Sequence, residues 1–349
     1  MAPSFLSPTV PIGDYSARKG VTSKLSYPAY LPVWDNEPSK YPPLTPFDHH
    51  DPGVDADPSL KDLLPEGQAQ VTNLTPMIGA EVHGVQLSQL TKEGKEQLAL
   101  FVAQKKVVAF RNQDFANLPI EKILAFGGFF GRNHIHPASG APRGFPEVHS
   151  VFRGENDKSG ALTFERRTTS VSWHSDVSYE LQPPGTTFLL FLDGPPNGGD
   201  TLFVNQAAAY ERLSPAFRER LHGLSAVHSA AEQAQASLSR GGACRRDPIQ
   251  TAHPIVRTHP ATGEKALYVN RQFTRYIEGL KTEESEALLQ FLYTHIAMSQ
   301  DIQCRVKWEK DTVVVWDNRV TAHSAIYDFP DGHLRHLVRI TPQAERPTE

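Results

Sequence analysis

The chain has 349 residues, 39% of them hydrophobic, which is enough to bury a sizeable core in one large or two modest domains. Its net charge is −4 and no run of Lys or Arg could follow a phosphate backbone, so the sequence argues against a nucleic-acid partner. It shows neither a signal peptide nor about 18 consecutive apolar residues, so we expect a cytoplasmic protein without a membrane partner. Cys244 and Cys304 have no metal-binding spacing, and we expect both to be reduced.

Residues 1–70 are predicted to form a Pro-rich N-terminal arm, and residues 71–349 one folded domain. Proline has no N–H group, so a segment this rich in proline cannot sustain the hydrogen-bonded ladder of a sheet. A disordered tail is one interpretation. The alternative is an extended arm that docks on the domain or on a neighbouring subunit, which is favoured by the apolar side chains Tyr27, Tyr30, Leu31, Val33, Trp34, Tyr41 and Phe47.

The domain is predicted to open with a strand near Thr72, a helix over residues 91–105 and a buried strand at Val107–Phe110. Short segments rich in β-branched and aromatic residues predict further strands at 186–192, 201–204, 224–228, 266–270, 304–308, 312–316 and 335–341. Two more helices are predicted over 214–222, with Ser214 as N-cap, and from an N-cap at Thr282. The pattern predicts a mainly β protein with flanking helices, built on a closed or sandwiched sheet.

A possible metal site lies in Trp173-His174-Ser175-Asp176-Val177. Side chains alternate along a strand, so His174 and Asp176 would project to the same face and meet one metal ion. His323 could supply a third ligand from another strand. Two histidines and one carboxylate form the facial triad of non-haem Fe(II) oxygenases, which leaves coordination positions open for chemistry.

A second His-x-Asp pattern occurs at His49-His50-Asp51, inside the Pro-rich segment. A strand is not expected there, so we predict that this copy binds no metal. The first copy has a different context, because Gly198-Gly199-Asp200-Thr201 follows it and an Arg335/Arg339 pair follows His323. Several elements in this order favour the first copy.

These motifs resemble those of the taurine dioxygenase and 2,4-dichlorophenoxyacetate dioxygenase (TauD/TfdA) group of Fe(II)- and 2-oxoglutarate-dependent oxygenases, and most closely its fungal sulfonate branch. The resemblance covers residues 72–342 and includes two further motifs, His253-Pro254-Ile255-Val256-Arg257-Thr258-His259-Pro260 and Trp316-Asp317-Asn318-Arg319-Val320-Thr321-Ala322-His323. It implies a double-stranded β-helix, a cupin-like jelly roll, with iron near one open end. Residues 71–349 would then be the catalytic domain.

The resemblance also implies the roles of the residues that bind the cofactors. His174, Asp176 and His323 would hold Fe(II). The cosubstrate 2-oxoglutarate would place its far carboxylate on Arg335, with the Thr201 hydroxyl beside it. A guanidinium group suits such a carboxylate because it can donate two parallel hydrogen bonds.

For the substrate, the resemblance assigns Arg339 to a sulfonate group, with His136 and the Val177 N–H as companions and Phe273 as an aromatic wall. Alternating side chains place Arg339 on the same strand face as the cosubstrate arginine. Other interpretations stay open. Arg339 could be a surface residue in a salt bridge, His136 a structural residue or half of a metal pair with His134, and Phe273 a core residue.

The chain departs from the taurine enzymes at the amine end of the substrate, where Ser139 and Ser170 stand in place of a Tyr and an Asn. We expect a dioxygenase that uses O2 to hydroxylate the carbon next to a sulfonate, in taurine or a related compound, releasing sulfite, an aldehyde, succinate and CO2. The alternatives are a related oxygenase acting on a sulfate ester, a carboxylate or a secondary metabolite, and a non-catalytic jelly-roll binding protein. We also expect a homo-oligomer.

Overall fold

The structure, a computed structural model, describes residues 25–34, 38–157, 164–165, 168–239 and 242–349; the rest of the predicted arm lies outside the described residues. In this part of the chain the α-helices are Lys92–Lys105 (α1), Ile120–Gly128 (α2), Gln206–Glu211 (α3), Pro215–Leu221 (α4), Ala231–Leu238 (α5) and Thr282–Met298 (α6). The β-strands are Pro32–Val33 (β1), Gln70–Asn73 (β2), Ala80–His83 (β3), Val107–Phe110 (β4), Arg132–Asn133 (β5), Ala141–Pro142 (β6), Val148–Arg153 (β7), Thr186–Asp193 (β8), Thr201–Asn205 (β9), Ser225–Ser229 (β10), Gln250–Pro254 (β11), Val256–Thr258 (β12), Lys265–Leu267 (β13), Thr274–Ile277 (β14), Gln303–Val306 (β15), Val313–Asp317 (β16), Thr321–Ala325 (β17), Arg335–Ile340 (β18) and Pro342–Gln343 (β19).

A seven-stranded sheet forms the centre of the molecule, in the order β2-β3-β4-β16-β8-β18-β7. Its pairs are antiparallel except for β3 and β4. Apolar residues run continuously along β4, β8 and β16, as expected for strands that are covered on both faces. Helices α1 and α2 cover one face, where Phe101 and Phe126 join a core with Val108, Phe188 and Val315.

A three-stranded antiparallel sheet, β15-β9-β17, covers the other face. A second core lies between the two sheets and includes Phe203, Val306, Trp316 and Leu337. The outer face of the small sheet packs against α3, α4 and α6. Side chains alternate along β17 and β18. His323 therefore faces the second core from β17, and Arg335 and Arg339, on either side of Leu337, face it from β18.

The strands predicted from short β-branched segments are present, with ends that differ by a few residues. The segment predicted as a strand at 266–270 is shorter and ends at Leu267, because the chain then turns: the Asn270 side chain accepts the N–H of Phe273. The last long helix begins at Thr282, but its N-cap is Lys281, whose N–H is bound by Glu284. Thr282 is therefore not the cap.

Helix content is the main departure from the mainly β expectation. Helices α2, α3 and α5 were not predicted. Helices α1 and α2 cover one outer side of the sheets, and α3, α4 and α6 cover the other. The molecule is thus a mixed α/β protein with several antiparallel sheets. Among the described residues, no helix is long and apolar enough to cross a membrane.

The described part of residues 25–70 packs on the rest of the chain. The Tyr30 carbonyl accepts a hydrogen bond from His336 at 3.1 Å, and the Phe47 N–H and carbonyl both bond to the Gln182 side chain. Leu63 is fully buried in the core below α1. These contacts support the docked arm over the free tail; the domain boundary at residue 70 stays a prediction.

A buried charge cluster joins this arm to the strand that leads to His323. Arg319 donates to Asp51, to both oxygens of Asp317 and to Glu345 near the C terminus. Burial alone would raise the pKa of Asp317, but Arg319 and His259 hold it well below its usual value. A buried guanidinium needs such partners, since an unpaired charge in the interior is strongly unfavourable.

Replacing Asp51 with Ala should therefore destabilise the fold, because Arg319 and the Gly53 N–H both lose a buried partner. We expect the free energy of unfolding to fall by about 1.5–3 kcal/mol, the range for a hydrogen bond to a charged group. Urea denaturation measures this. Asp55→Ala is the control, since Asp55 is exposed and its ion-pair partner among the described residues is the exposed His50. Equal losses of stability in the two variants would contradict the structural role of Asp51.

Candidate functional site

Two backbone hydrogen bonds bring the two predicted metal-binding histidines together. The His174 N–H donates to the His323 carbonyl at 3.0 Å, and the His323 N–H donates to the His174 carbonyl at 2.8 Å. They form an isolated antiparallel bridge, and the ring centroids lie 4.2 Å apart. The strand predicted through His174 and Asp176 is therefore wrong beyond this bridge, because the chain enters a turn after Ser175.

Side chains from the β16–β17 connection hold Asp176 after the bridge. The Asp176 N–H donates to Asn318 Oδ1 at 3.0 Å, and the Ser175 hydroxyl donates to the Thr321 carbonyl at 2.7 Å. Asn318 is itself fixed, since its Nδ2 donates to the Thr187 hydroxyl at 2.7 Å. The Asp176 side chain therefore reaches the two histidines because these hydrogen bonds hold the turn in place, and not because side chains alternate along a strand.

Three ligand atoms converge at this point. Asp176 Oδ1 lies 3.8 Å from His174 Nε2 and 3.6 Å from His323 Nε2, and all three residues are buried. His174 Nδ1 faces the Ser172 carbonyl at 2.9 Å, so it carries the proton and leaves the Nε2 lone pair free. The second oxygen of Asp176 is buried without a hydrogen-bond partner among the described residues. Two imidazole nitrogens and one carboxylate are the donor set that suits Fe(II).

The protonation states also suit a metal. Burial lowers the pKa of His174, and burial with the neighbouring His174 lowers that of His323 to about 3, so both rings are neutral near pH 7. Burial alone would raise the pKa of Asp176, but the Arg339 guanidinium and the neighbouring histidines together lower it and keep the carboxylate ionised. Neutral histidine and ionised aspartate are the forms that bind metal ions.

The second His-x-Asp copy also gathers three possible ligands, His49, Asp51 and Glu345. Both carboxylates there are paired with buried arginines: Arg319 binds both, and Arg257 binds Glu345 at 2.7 Å. Burial lowers the pKa of His49. The cluster is thus occupied by the protein's own cations, which supports the prediction that it binds no metal.

Arg335 is a buried guanidinium that forms no ion pair with a described carboxylate. Its Nη2 donates to the Gly199 carbonyl at 2.9 Å, and burial lowers its pKa to about 10. Gly199 has a φ of +72°, and a Cβ there would lie 3.0 Å from Arg335 Nε, so glycine lets the loop approach this closely. Thr201, two residues on, is buried and accepts the Trp308 indole N–H at 3.3 Å.

Arg339 is buried beside the three converging ligand atoms, so the interpretation as a surface residue is wrong. Its Nη1 donates to Asp176 Oδ1 at 2.6 Å, and its Nη2 donates to His149 Nδ1 at 2.9 Å. Its Nε has no partner among the residues described and is buried. One guanidinium therefore links the possible metal ligand to a neighbouring polar pocket.

His136 lies in that pocket, with its ring edge against the His149 ring and the centroids 4.5 Å apart. It does not form a metal pair with His134, whose Nε2 lies 2.9 Å from the buried Glu180 carboxylate. Val177 follows Asp176 with a φ of +37°, a strained conformation for a β-branched residue. No hydrogen bond joins its N–H to any other described residue.

The remaining predicted residues lie around these groups. The Phe273 ring is 2% exposed and meets the His174 ring edge-on, with centroids 6.1 Å apart, so it both borders the site and belongs to the core. The Ser139 hydroxyl donates to the Gly140 carbonyl, and the Ser170 hydroxyl accepts the Tyr327 N–H. Both serines are therefore bonded to backbone, and no bond joins them to Arg339.

Two residues of the site were missed by the sequence reasoning, His149 and Asn318. β7 was not predicted, although its β-branched and aromatic residues Val148, Val151 and Phe152 could have indicated a strand. Asn318 lies within the Trp316–His323 motif, but its bonds to Asp176 and Thr187 depend on segments that are distant in sequence.

Comparisons with known proteins agree with this geometry. A family model described as "Taurine catabolism dioxygenase TauD, TfdA family" matches residues 70–341. The alpha-ketoglutarate-dependent sulfonate dioxygenase of Saccharomyces cerevisiae is 46% identical over 342 residues, 97% of this chain and 83% of that protein. The alpha-ketoglutarate-dependent dioxygenase cnsP of Penicillium expansum is 41% identical over 338 residues, 96% of this chain and 91% of that one. A crystal structure of a taurine dioxygenase from Burkholderia xenovorans is similar with a TM-score of 0.64 and 35% identity, covering 80% of this chain and 91% of that chain.

Asn318→Ala should destabilise the protein, because it leaves the Asp176 N–H and the Trp316 indole N–H without their buried acceptor and removes one of the two hydrogen bonds of the Thr187 hydroxyl. Each unsatisfied group costs about 1–3 kcal/mol, so urea denaturation should show a clear loss. The same variant should bind Fe(II) more weakly in anaerobic titrations, since Asp176 is no longer held. Exposed Asn117→Ala is the control, and normal stability and iron affinity for Asn318→Ala would refute this role.

Proposed function

Since the chain belongs to the TauD/TfdA family of Fe(II)- and 2-oxoglutarate-dependent dioxygenases, we propose that it hydroxylates the carbon next to a sulfonate group. The hydroxylated product would break its C–S bond, giving an aldehyde and sulfite, while the cosubstrate gives succinate and CO2. The observation that carries the proposal is the position of Arg339, a buried cation in contact with Asp176. An anion held there would place its neighbouring carbon beside the metal ligands.

His174, Asp176 and His323 are proposed to hold the iron. Their donor atoms converge and their protonation states suit a metal. The buried Asp176 Oδ2, which has no partner among the described residues, offers a further lone pair to the metal. Bound there, Fe(II) with 2-oxoglutarate and O2 supplies the oxidant that converts a C–H bond to C–OH. The chain itself positions these ligands. The two backbone hydrogen bonds between His174 and His323 hold the imidazoles together, and Asn318 holds Asp176 through its backbone N–H.

Arg335 and Thr201 are proposed to bind the far carboxylate of 2-oxoglutarate. Arg335 is buried and forms no ion pair with a described carboxylate, and a ligand carboxylate would supply the missing charge. Gly199 leaves room beside the guanidinium. Thr201 lies in the same loop-to-strand segment, where its hydroxyl can add a hydrogen bond.

Arg339, His136 and the Val177 N–H are proposed to bind the anionic head group of the substrate. The Val177 N–H makes no bond to a described residue, and the strained turn at this residue is of the kind that persists at functional sites. Burial, and then the Arg339 charge, lowers the pKa of His136 well below its usual value. His136 is therefore neutral and can donate one hydrogen bond without a competing charge.

At the other end of the substrate, the structure favours compounds without an ammonium group. The Ser139 and Ser170 hydroxyls are both engaged with backbone groups, and neither carries a charge that would pair with an amine. A simple alkanesulfonate or a sulfate ester is accordingly the second candidate substrate, with Phe273 as the apolar neighbour of its chain.

We further propose that the two sheets facing each other across the second core form the double-stranded β-helix of the family. The site lies between these sheets, since His323 comes from β17 and both arginines from β18. Assembly into a homo-oligomer stays a prediction.

The proposed function is tested by measuring succinate formation with substrates of matched size. Taurine and propane-1-sulfonate differ only in an ammonium group in place of a methyl group, and butanoate replaces the sulfonate with a carboxylate. We expect both sulfonates to drive succinate formation and propane-1-sulfonate to have at least the kcat/KM of taurine. Turnover with butanoate but with neither sulfonate would reject a sulfonate substrate.

His174→Ala, Asp176→Ala and His323→Ala should each abolish substrate-dependent turnover, because each removes one of three protein ligands. Anaerobic titration should also show Fe(II) bound much more weakly. His49→Ala, which removes the possible ligand of the other His-x-Asp copy, is the control and should keep both turnover and iron binding. Loss of iron by the His49 variant, with retention by the His174 variant, would place the metal at the second copy instead.

Arg335→Ala and Arg339→Ala should separate the two anions. Arg335→Ala should raise the KM for 2-oxoglutarate by about ten-fold to a hundred-fold, the effect of losing a hydrogen bond to a charged group. Arg339→Ala should raise the KM for the sulfonate by a similar factor. Arg335→Lys and Arg339→Lys keep the charge, so they should raise each KM less. If Arg335→Ala mainly raised the KM for the sulfonate and Arg339→Ala that for 2-oxoglutarate, the two assignments would have to be exchanged.

A further inference from the structure

One strand of the seven-stranded sheet brings an additional histidine to the anion pocket. The antiparallel register of β7 and β18 places His149 directly opposite Arg339. Arg339 Nη2 donates to His149 Nδ1 at 2.9 Å, and the ring of His149 contacts that of His136 edge to face. The two histidines and the arginine thus form one contiguous cluster that reaches Asp176 through the guanidinium.

Hydrogen bonds decide which nitrogen of each ring carries the proton. A guanidinium can only donate, so His149 Nδ1 accepts from it, and the proton of the neutral ring lies on Nε2. His136 Nδ1 accepts the Ala138 N–H at 3.1 Å, which also leaves the proton on Nε2. Burial, with Arg339 next, lowers the pKa of His149 well below its usual value, as it does for His136. Each neutral ring therefore offers one Nε2–H donor.

No described residue accepts a hydrogen bond from either Nε2–H group. Arg339 Nε is buried without a partner, and the Val177 N–H makes no bond to a described residue. Buried donors are nearly always satisfied in folded proteins, so the buried Arg339 Nε without a partner, together with the other free donors beside it, points to a bound acceptor. Apart from Asp176 Oδ2, which belongs to the proposed metal ligand, these free groups around the guanidinium are donors, and an anion with several oxygen atoms would satisfy them.

We propose that His149 is a substrate-binding residue whose Nε2–H donates to the oxyanion head group held by Arg339. It selects head groups with three terminal oxygens, sulfonate or sulfate, over a planar carboxylate. A carboxylate has two oxygens, and the fork of a guanidinium already matches both. A third oxygen gives the histidine donors an acceptor of their own. This proposal rests on the proposed function, because it concerns the same anion pocket.

Three substitutions of His149 separate a direct contact from a positioning role. The side-chain amide of Gln can take the place of Nε2, whereas that of Asn takes the place of Nδ1, and Leu removes both. The measurement is anaerobic calorimetric titration of the enzyme loaded with Fe(II) and 2-oxoglutarate, using propane-1-sulfonate, propyl sulfate and butanoate as probes. We expect His149→Leu and His149→Asn to bind the sulfonate and the sulfate about ten-fold to a hundred-fold more weakly. His149→Gln should stay within a few-fold of the wild type, and butanoate binding should change little in all three.

Other outcomes would overturn the proposal in distinguishable ways. Equal sulfonate affinity in all variants would show that His149 does not contact the anion. Retained binding in His149→Asn with loss in His149→Gln would show that His149 acts only through Nδ1, by positioning Arg339. A wild-type enzyme that binds neither sulfonate nor sulfate would reject the proposed function and this inference together. Thermal unfolding and 2-oxoglutarate affinity check that each variant is folded. If His149→Leu does not fold, the comparison of His149→Gln with His149→Asn alone decides between a direct contact and a positioning role.

Discussion

The geometry of the site depends on two backbone hydrogen bonds between His174 and His323. They join segments 149 residues apart in a single antiparallel bridge, and β9 and Trp316 pack behind the His323 ring. Because the bridge is made by main-chain atoms, it holds both imidazoles at one place without using either ring nitrogen. The two Nε2 atoms stay available, and the Asp176 carboxylate reaches them from a turn that Asn318 holds in place.

Buried positive charge is the second constraint. Arg335 and Arg339 face the same inter-sheet core from one strand, and burial of a guanidinium is unfavourable unless an anion accompanies it. Arg339 is bonded to Asp176, whereas among the described residues Arg335 bonds to the Gly199 carbonyl and has an aromatic neighbour, Phe329. The two positions therefore differ before any ligand binds: Arg339 is paired with Asp176, and Arg335 has no carboxylate partner among the described residues.

A third buried cation, Arg319, has a structural role. Asp51 of the arm, Asp317 at the end of β16 and Glu345 near the C terminus all converge on it. Asp317 directly precedes Asn318, so the same connection that anchors the arm also positions the carboxylate of the triad. The second His-x-Asp copy belongs to this cluster, where arginine side chains pair with its carboxylates.

The sequence by itself determined the identity of the converging ligands, the two arginines on one strand face and most of the strands, because these depend on alternation and on motifs that are local in the chain. It did not determine how Asp176 reaches the histidines, since a period-two reading assumes a strand where the structure has one bridge and a turn at Val177. Only the tertiary structure placed His149 against Arg339, because the register of β7 on β18 is set by long-range pairing. It also decided the tautomers of the two pocket histidines, which depend on the neighbours that packing supplies.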